Sequence, residues 1–143
     1  MWTGFLINLR MENKISWKKI LGFFSAPFLL VAVSFLLLYL GVYSAVKWID
    51  IPMHIIGGLL IGASFYLTLN YLEEMGLIKL NKFVRFVFVV SLVALFAVGW
   101  EFFEFSLTQI TGYGFQGDLL DTMKDLFMGI SGGLLAAFYS LRK

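Results

Sequence analysis

Seven ionisable side chains near the ends of three apolar stretches have spacings that could build one polar site. Within each stretch they are three or four residues apart, and residues at that spacing share one face of a helix. Each stretch would therefore present its polar groups in a single direction. The seven residues are Asp50, His54, Glu101, Glu104, Asp118, Asp121 and Asp125.

Carboxylates crowded in one place repel each other unless they are protonated or neutralised, and a bound cation would relieve that repulsion. Oxygen ligands with at most one imidazole suit a divalent cation such as magnesium, calcium, manganese or iron. Four residues that lie deeper along their helices are the expected metal ligands or catalytic proton carriers: His54, Glu104, Asp121 and Asp125. Three others are expected to form a shell around them: Asp50, Glu101 and Asp118.

Three of the seven residues also have purely structural interpretations. Asp50 precedes Ile51 and Pro52, so it could be the N-cap of a helix with proline in its first turn. Asp118 could likewise be a helix cap or a solvated loop residue. Glu101 could lie in the headgroup region and reach water.

The composition requires a membrane environment for these elements. Of the 143 residues, 60% are hydrophobic and only 14% are charged, against about a quarter in ordinary soluble domains. A soluble fold of this size could not bury that much apolar surface. The absence of cysteine excludes disulfides and thiolate metal sites. A net charge of +2 is too small to indicate a nucleic-acid partner.

Four apolar runs are candidates for crossing the bilayer, which requires about 20 residues. The third and fourth must include neighbouring acidic residues to reach that length. We predict an all-α, polytopic membrane protein with four transmembrane helices, because so small a chain has no core in which to bury these runs. The uncharged runs are residues 20–46, 51–72 (interrupted by His54), 86–100 and 126–141.

The basic residues predict the orientation of the chain. Nine of the eleven lie before the first run, between the second and third, or after the fourth, and only Lys47 and Lys124 lie on the other side. The positive-inside rule then places both termini in the cytoplasm and the protein in the cell membrane. The seven polar residues fall at the outer ends of their helices, where they would form one acidic pocket open to the outside.

The chain divides into a cytoplasmic interfacial segment, residues 1–19, and one transmembrane domain, residues 20–143. Apolar residues in the first segment recur at helical spacing, so it could be an amphipathic helix on the inner leaflet. A loose tail is the alternative. The apolar residues are Trp2, Phe5, Leu6 and Leu9.

Two of the predicted spans carry a G-x-x-x-G step, Gly58 to Gly62 in the second and Gly129 to Gly133 in the fourth. Small residues let helices approach closely in lipid. We expect these two spans to cross beneath the acidic pocket, either within one chain or between the two chains of a homodimer.

Three motifs resemble the YjdF-like family of small bacterial inner-membrane proteins and, more distantly, the VanZ-like proteins. The resemblance covers about residues 49–137, and it implies an inner-membrane location and supports the polar positions without implying a reaction. The motifs are Ile49-Asp50-x-x-x-His54-x-x-Gly57, Trp100-Glu101-x-x-Glu104 and Gln116-Gly117-Asp118-x-x-Asp121-Thr122-x-x-Asp125.

These observations lead to a first hypothesis and two alternatives. In the first, a cation bound in the outward pocket acts on a membrane lipid headgroup or an envelope precursor, by polarising a phosphoryl oxygen or activating water. The second is cation- or proton-coupled transport through the same carboxylates. The third is a non-catalytic partner protein whose acidic groups recognise a basic segment. The polar lining below His54 and Asp125 is sparse, which favours a closed site over a channel.

Overall fold

The computed structural model describes residues 15–141, and within this range the chain is helical and contains no strand. The all-α prediction is confirmed for these residues. A 3₁₀ turn over Lys47–Ile49 leads directly into the first of three long helices. The six α-helices within residues 15–141 are α1 (Trp17–Phe23), α2 (Ser25–Tyr39), α3 (Val42–Ala45), α4 (Asp50–Glu74), α5 (Lys82–Thr111) and α6 (Leu119–Leu141).

In the part of the chain that the structure describes, two or three segments are long and apolar enough to cross a membrane. Lys47–Glu74 and Lys82–Thr111 qualify individually, and α1 and α2 qualify together as a pair bent by 48°. Helix α6 is not among them, because Asp121, Lys124 and Asp125 occupy its first two turns. The uncharged remainder of α6 is about 24 Å long at about 1.5 Å per residue, short of the roughly 30 Å hydrocarbon core.

The first predicted span differs from the expected continuous helix over residues 20–46. The helix breaks at Phe24 and ends at Tyr39, and the chain then turns at Gly41, whose φ of 72° lies in the left-handed region. Helix α3 follows this turn, and the Tyr43 hydroxyl lies 2.7 Å from Ser34 Oγ on α2. Uninterrupted hydropathy does not reveal this break, because the residues on both sides are equally apolar.

A proline and a serine explain the break between α1 and α2. Pro27 has no N–H and cannot bond the carbonyl oxygen of Phe23 four residues earlier. The Ser64 hydroxyl of α4 supplies a donor, since it lies 2.6 Å from that oxygen and shares its one proton with Leu60 O of its own helix, 2.8 Å away. Ser64 is buried, so this hydrogen bond fixes the bend against the centre of α4.

Helices α4 and α6 cross at their glycines. A Cβ added to Gly58 would lie 1.8 Å from Gly129 O, and one added to Gly62 would lie 2.7 Å from Ala136 Cβ and 3.4 Å from Gly133 Cα. The glycine faces expected to pair are therefore in contact within one chain. Helix α5 packs on the pair through Val89 and Val93, which are fully or almost fully buried. Many large apolar side chains elsewhere are exposed, as a lipid-facing surface requires.

A short turn connects the C-terminal end of α4 to the N-terminal end of α5. Glu73 forms an ion pair with Arg85 and accepts a hydrogen bond from Leu80 N at 2.8 Å. Asn81 caps α5 by accepting from Val84 N at 2.8 Å. The amphipathic stripe predicted within residues 1–9 lies outside the described residues.

Candidate functional site

Three of the seven predicted residues meet where α4 begins beside the first turns of α6. Asp50 Oδ1 lies 3.4 Å from His54 Nε2, and Asp125 Oδ1 lies 4.0 Å from the same nitrogen. One ligand atom from each residue lies within 4.8 Å of the other two. Asp50 is the first residue of α4, with Ile49 as the N-cap and no side-chain cap bond, so its carboxylate is free to face the imidazole.

Asp125 is the most deeply placed acid of this group. It is only 3% exposed, and within residues 15–141 its Oδ1 has no hydrogen-bond partner. Isolated buried carboxylate oxygens are costly, and native proteins rarely leave them unpaired. The atom therefore marks a place where a ligand would complete the structure.

Glu101 and Glu104 project from α5 towards the same region, but neither belongs to the group formed by Asp50, His54 and Asp125. Glu104 Oε1 accepts a hydrogen bond from Trp100 Nε1 at 2.8 Å. Glu101 is 6% exposed, and within residues 15–141 its Oε2 is, like Asp125 Oδ1, buried without a hydrogen-bond partner. The structure thus places Glu101 in the helix interface, not in contact with water, and Glu104 outside the group formed by Asp50, His54 and Asp125.

Asp118 and Asp121 lie at the exposed start of α6. Asp118 Oδ1 accepts a hydrogen bond from Asp121 N at 2.9 Å, as an N-cap does, so the capping alternative describes this residue. Asp121 forms an ion pair with Lys124, whose Nζ is also 4.0 Å from Asp125 Oδ1. Neither aspartate joins the three-residue group, although Asp121 contributes to the wall of the adjoining cavity.

A cavity of about 710 Å³ adjoins this group between α2, α4 and α5. Its polar end contains Asp50, His54 and Glu104. Its remaining wall is mostly apolar and extends from Phe24, the residue before α2, to Leu38 near the end of α2, about 21 Å at about 1.5 Å per residue. The cavity is therefore long, with ionisable groups concentrated at one end.

Two residues at the polar end were not identified as site residues from the sequence. Lys47 lines the cavity and, among the residues described, is the only lysine or arginine in its wall. Tyr43 also lines it, and its hydroxyl lies 2.7 Å from Ser34 Oγ. Tyr43 is one of five hydroxyl-bearing residues in the run over residues 20–46, so no signal in the sequence distinguishes it. Lys47 contributed to the sequence analysis only through the predicted orientation of the chain.

A family model described as "Predicted membrane protein (DUF2238)" matches residues 1–143. The chain belongs to the DUF2238 family. This membership agrees with the apolar helices, so the DUF2238 chain is a membrane protein. Comparisons with curated proteins and with solved structures give no match.

Proposed function

We propose that Asp50, His54 and Asp125 bind a divalent cation at the polar end of the cavity, and that the cation acts on the headgroup of a membrane lipid or envelope precursor. The observation that carries this proposal is the buried, unpartnered Oδ1 of Asp125 facing His54 Nε2. An acidic cluster alone would not suffice, because exposed carboxylates are common without an ion.

The separations between the three groups suit one ion. Two ligands of the same ion can be no farther apart than twice the metal–ligand distance, about 4.2 Å for magnesium and about 4.8 Å for calcium. The two distances to His54 Nε2 are 3.4 and 4.0 Å. Both exceed the usual 2.7–3.2 Å range of N–H···O hydrogen bonds. A cation between the groups would therefore coordinate atoms that are too far apart to form good hydrogen bonds with one another.

The bound cation would have an incomplete protein shell. Hard divalent cations prefer six or more oxygen-rich ligands, and magnesium usually keeps waters and substrate phosphate oxygens. Two carboxylates and one imidazole leave positions for both. The chemistry supplied would be polarisation of a phosphoryl oxygen or activation of a bound water.

The proposed topology has four spans with both termini in the cytoplasm, so that the site faces outward. The distribution of basic residues supports this orientation. Helix α6 would cross as the fourth span by packing its charged first turns against α4, where Asp125 is buried. Such shielding is how ionisable groups are accommodated at membrane depth.

Manganese binding tests the proposal because the ion is paramagnetic and takes the same ligands as magnesium. Purified protein in a neutral detergent should bind one manganese per chain. Asp125→Asn should weaken binding at least tenfold, whereas Glu74→Gln, which alters an exposed carboxylate at the far end of α4, should leave binding unchanged. Equal and negligible binding by wild type and both variants would refute the cation site and favour the partner-protein alternative.

A further inference from the structure

We infer that the cavity between α2, α4 and α5 holds the hydrocarbon chain of a phosphate-bearing lipid, with the phosphate between the cation and Lys47. This inference rests on the proposed cation site and specifies its substrate class. It is carried by the shape of the cavity and by the segregation of charge within it.

The apolar part of the cavity has the dimensions of a chain-binding site. The volume of about 710 Å³ lies within the range of about 300–1,000 Å³ typical of ligand pockets. Its lining extends over positions 24–38, along α2, and over positions 93–107 of α5, fifteen residues in each case, or about 21 Å along each helix. A compact polar metabolite would leave most of this apolar wall uncovered.

Aromatic side chains border this space along its length. The rings of Phe35 and Phe103 are 6.4 Å apart and connect α2 to α5. Phe24 and Phe96 each contact Phe65 of α4, with ring centroids 5.1 and 5.3 Å apart. Phe24, Phe35, Phe96 and Phe103 line the cavity, so their rings form part of the apolar wall that an extended hydrocarbon chain would contact.

The proposed cation is the feature of the polar end that would recruit an anionic headgroup. It would offset the two aspartates that hold it, while Lys47 offsets Glu104 on the same wall and Lys124 pairs with Asp121, so the carboxylates there are balanced. Phosphate oxygens are the ligands that hard cations commonly recruit from substrates. A free phosphate would occupy only the polar end of the cavity, whereas a phosphate-bearing lipid would also cover its apolar wall.

Native mass spectrometry of the manganese-loaded protein in neutral detergent tests the inference with two probes, hexadecyl phosphate and inorganic phosphate. Gly57→Leu should obstruct the chain, because Gly57 lines the cavity and an added Cβ there would lie 3.6 Å from Leu30 Cδ2. Gly99→Leu is the matched control, since Gly99 has no atom within 4 Å of its Cβ position.

We expect wild type and Gly99→Leu to retain one hexadecyl phosphate, and Gly57→Leu to retain it at least tenfold more weakly while still binding manganese and inorganic phosphate. Equal retention of the lipid by all three proteins would overturn the inference. Equal affinity of wild type for the two probes would also overturn it and identify a free phosphate site. This second comparison needs no variant, so it decides the question even if Gly57→Leu fails to fold. Absence of manganese from the wild type would instead refute the proposed function itself.

Discussion

Gly58 and Gly129 meet in the same register as His54 and Asp125. Each glycine follows its polar residue by four positions, one helical turn, and a Cβ at Gly58 would lie 1.8 Å from Gly129 O. The close crossing of α4 and α6 thus continues directly into the contact between the imidazole and the buried carboxylate. The packing contact between the glycines and the candidate site therefore lie on consecutive turns of one helix interface.

Gly58→Ala should therefore disrupt both stability and the site. The added methyl group would meet backbone atoms of Gly129, which cannot rotate away as a flexible side chain could. We expect a loss of about 3 kcal/mol in the free energy of unfolding, and manganese binding weakened along with it. Denaturant titration in detergent measures the first effect and manganese titration measures the second.

Gly99→Ala is the control for this substitution. Gly99 is on an exposed face of α5 with open space around it, so alanine should raise stability by up to about 1 kcal/mol through its higher helix propensity. Equal stability of the two variants would show that α4 and α6 are not held at this distance.

Ser64→Ala should destabilise the junction between α1 and α2. The substitution leaves the Phe23 carbonyl oxygen without its donor from α4, and Pro27 cannot replace it. Loss of a buried hydrogen bond of this kind costs about 1–3 kcal/mol in the free energy of unfolding. Ser106→Ala removes an exposed hydroxyl that bonds only its own helix, and it should change stability by less than about 0.5 kcal/mol. If both variants unfold at the same denaturant concentration, Ser64 does not hold the bend.

Glu104→Gln distinguishes two ligand sets: the group of Asp50, His54 and Asp125 in the structure, and the set expected from residue spacing, which includes Glu104. The spacing makes Glu104 a ligand, whereas its carboxylate is bonded to Trp100 and lies outside the group of Asp50, His54 and Asp125. We expect the variant to keep one manganese per chain, with an affinity lowered no more than about threefold by the loss of a nearby charge. A loss as large as that in Asp125→Asn would make Glu104 a direct ligand.

The helices were predictable where sequence carries a local signal. The second predicted run, residues 51–72, agrees closely with α4, and the third and fourth runs are helices once their flanking acids are included. The break at Phe24 was not predictable from hydropathy, because it depends on Ser64, which is forty residues away along the chain. A proline alone is compatible with either a kink or a helix start.

The sequence predicts which site residues share a helix face, but it does not predict which of them meet in one group. Spacing of four residues correctly put Asp50 and His54 on one face, yet it could not say whether Asp50 would cap its helix or turn to the imidazole. Asp125 faces His54 and Asp121 does not, because the contact of the α6 glycines with α4 fixes the rotation of α6 about its own axis. Helix periodicity alone does not determine that rotation.

Cysteine labelling tests the proposed orientation, because the natural chain contains no cysteine. Lys79→Cys lies in the turn between α4 and α5, and Tyr113→Cys lies in the loop between α5 and α6; both positions are exposed. A membrane-impermeant maleimide added to intact cells should label the cysteine at position 113, and it should label the one at position 79 only after the membrane is opened. The reverse pattern would place the site on the cytoplasmic side.

The most direct test of the cation site is the nitrogen hyperfine coupling of bound manganese. His54 is the only histidine in the chain, so protein labelled with ¹⁵N-histidine and purified through a tag without histidine offers one imidazole to the ion. We predict a coupling to one labelled nitrogen that disappears in His54→Ala. Manganese bound without any such coupling, or bound equally tightly after His54→Ala, would contradict the assignment of Asp50, His54 and Asp125 as its ligands.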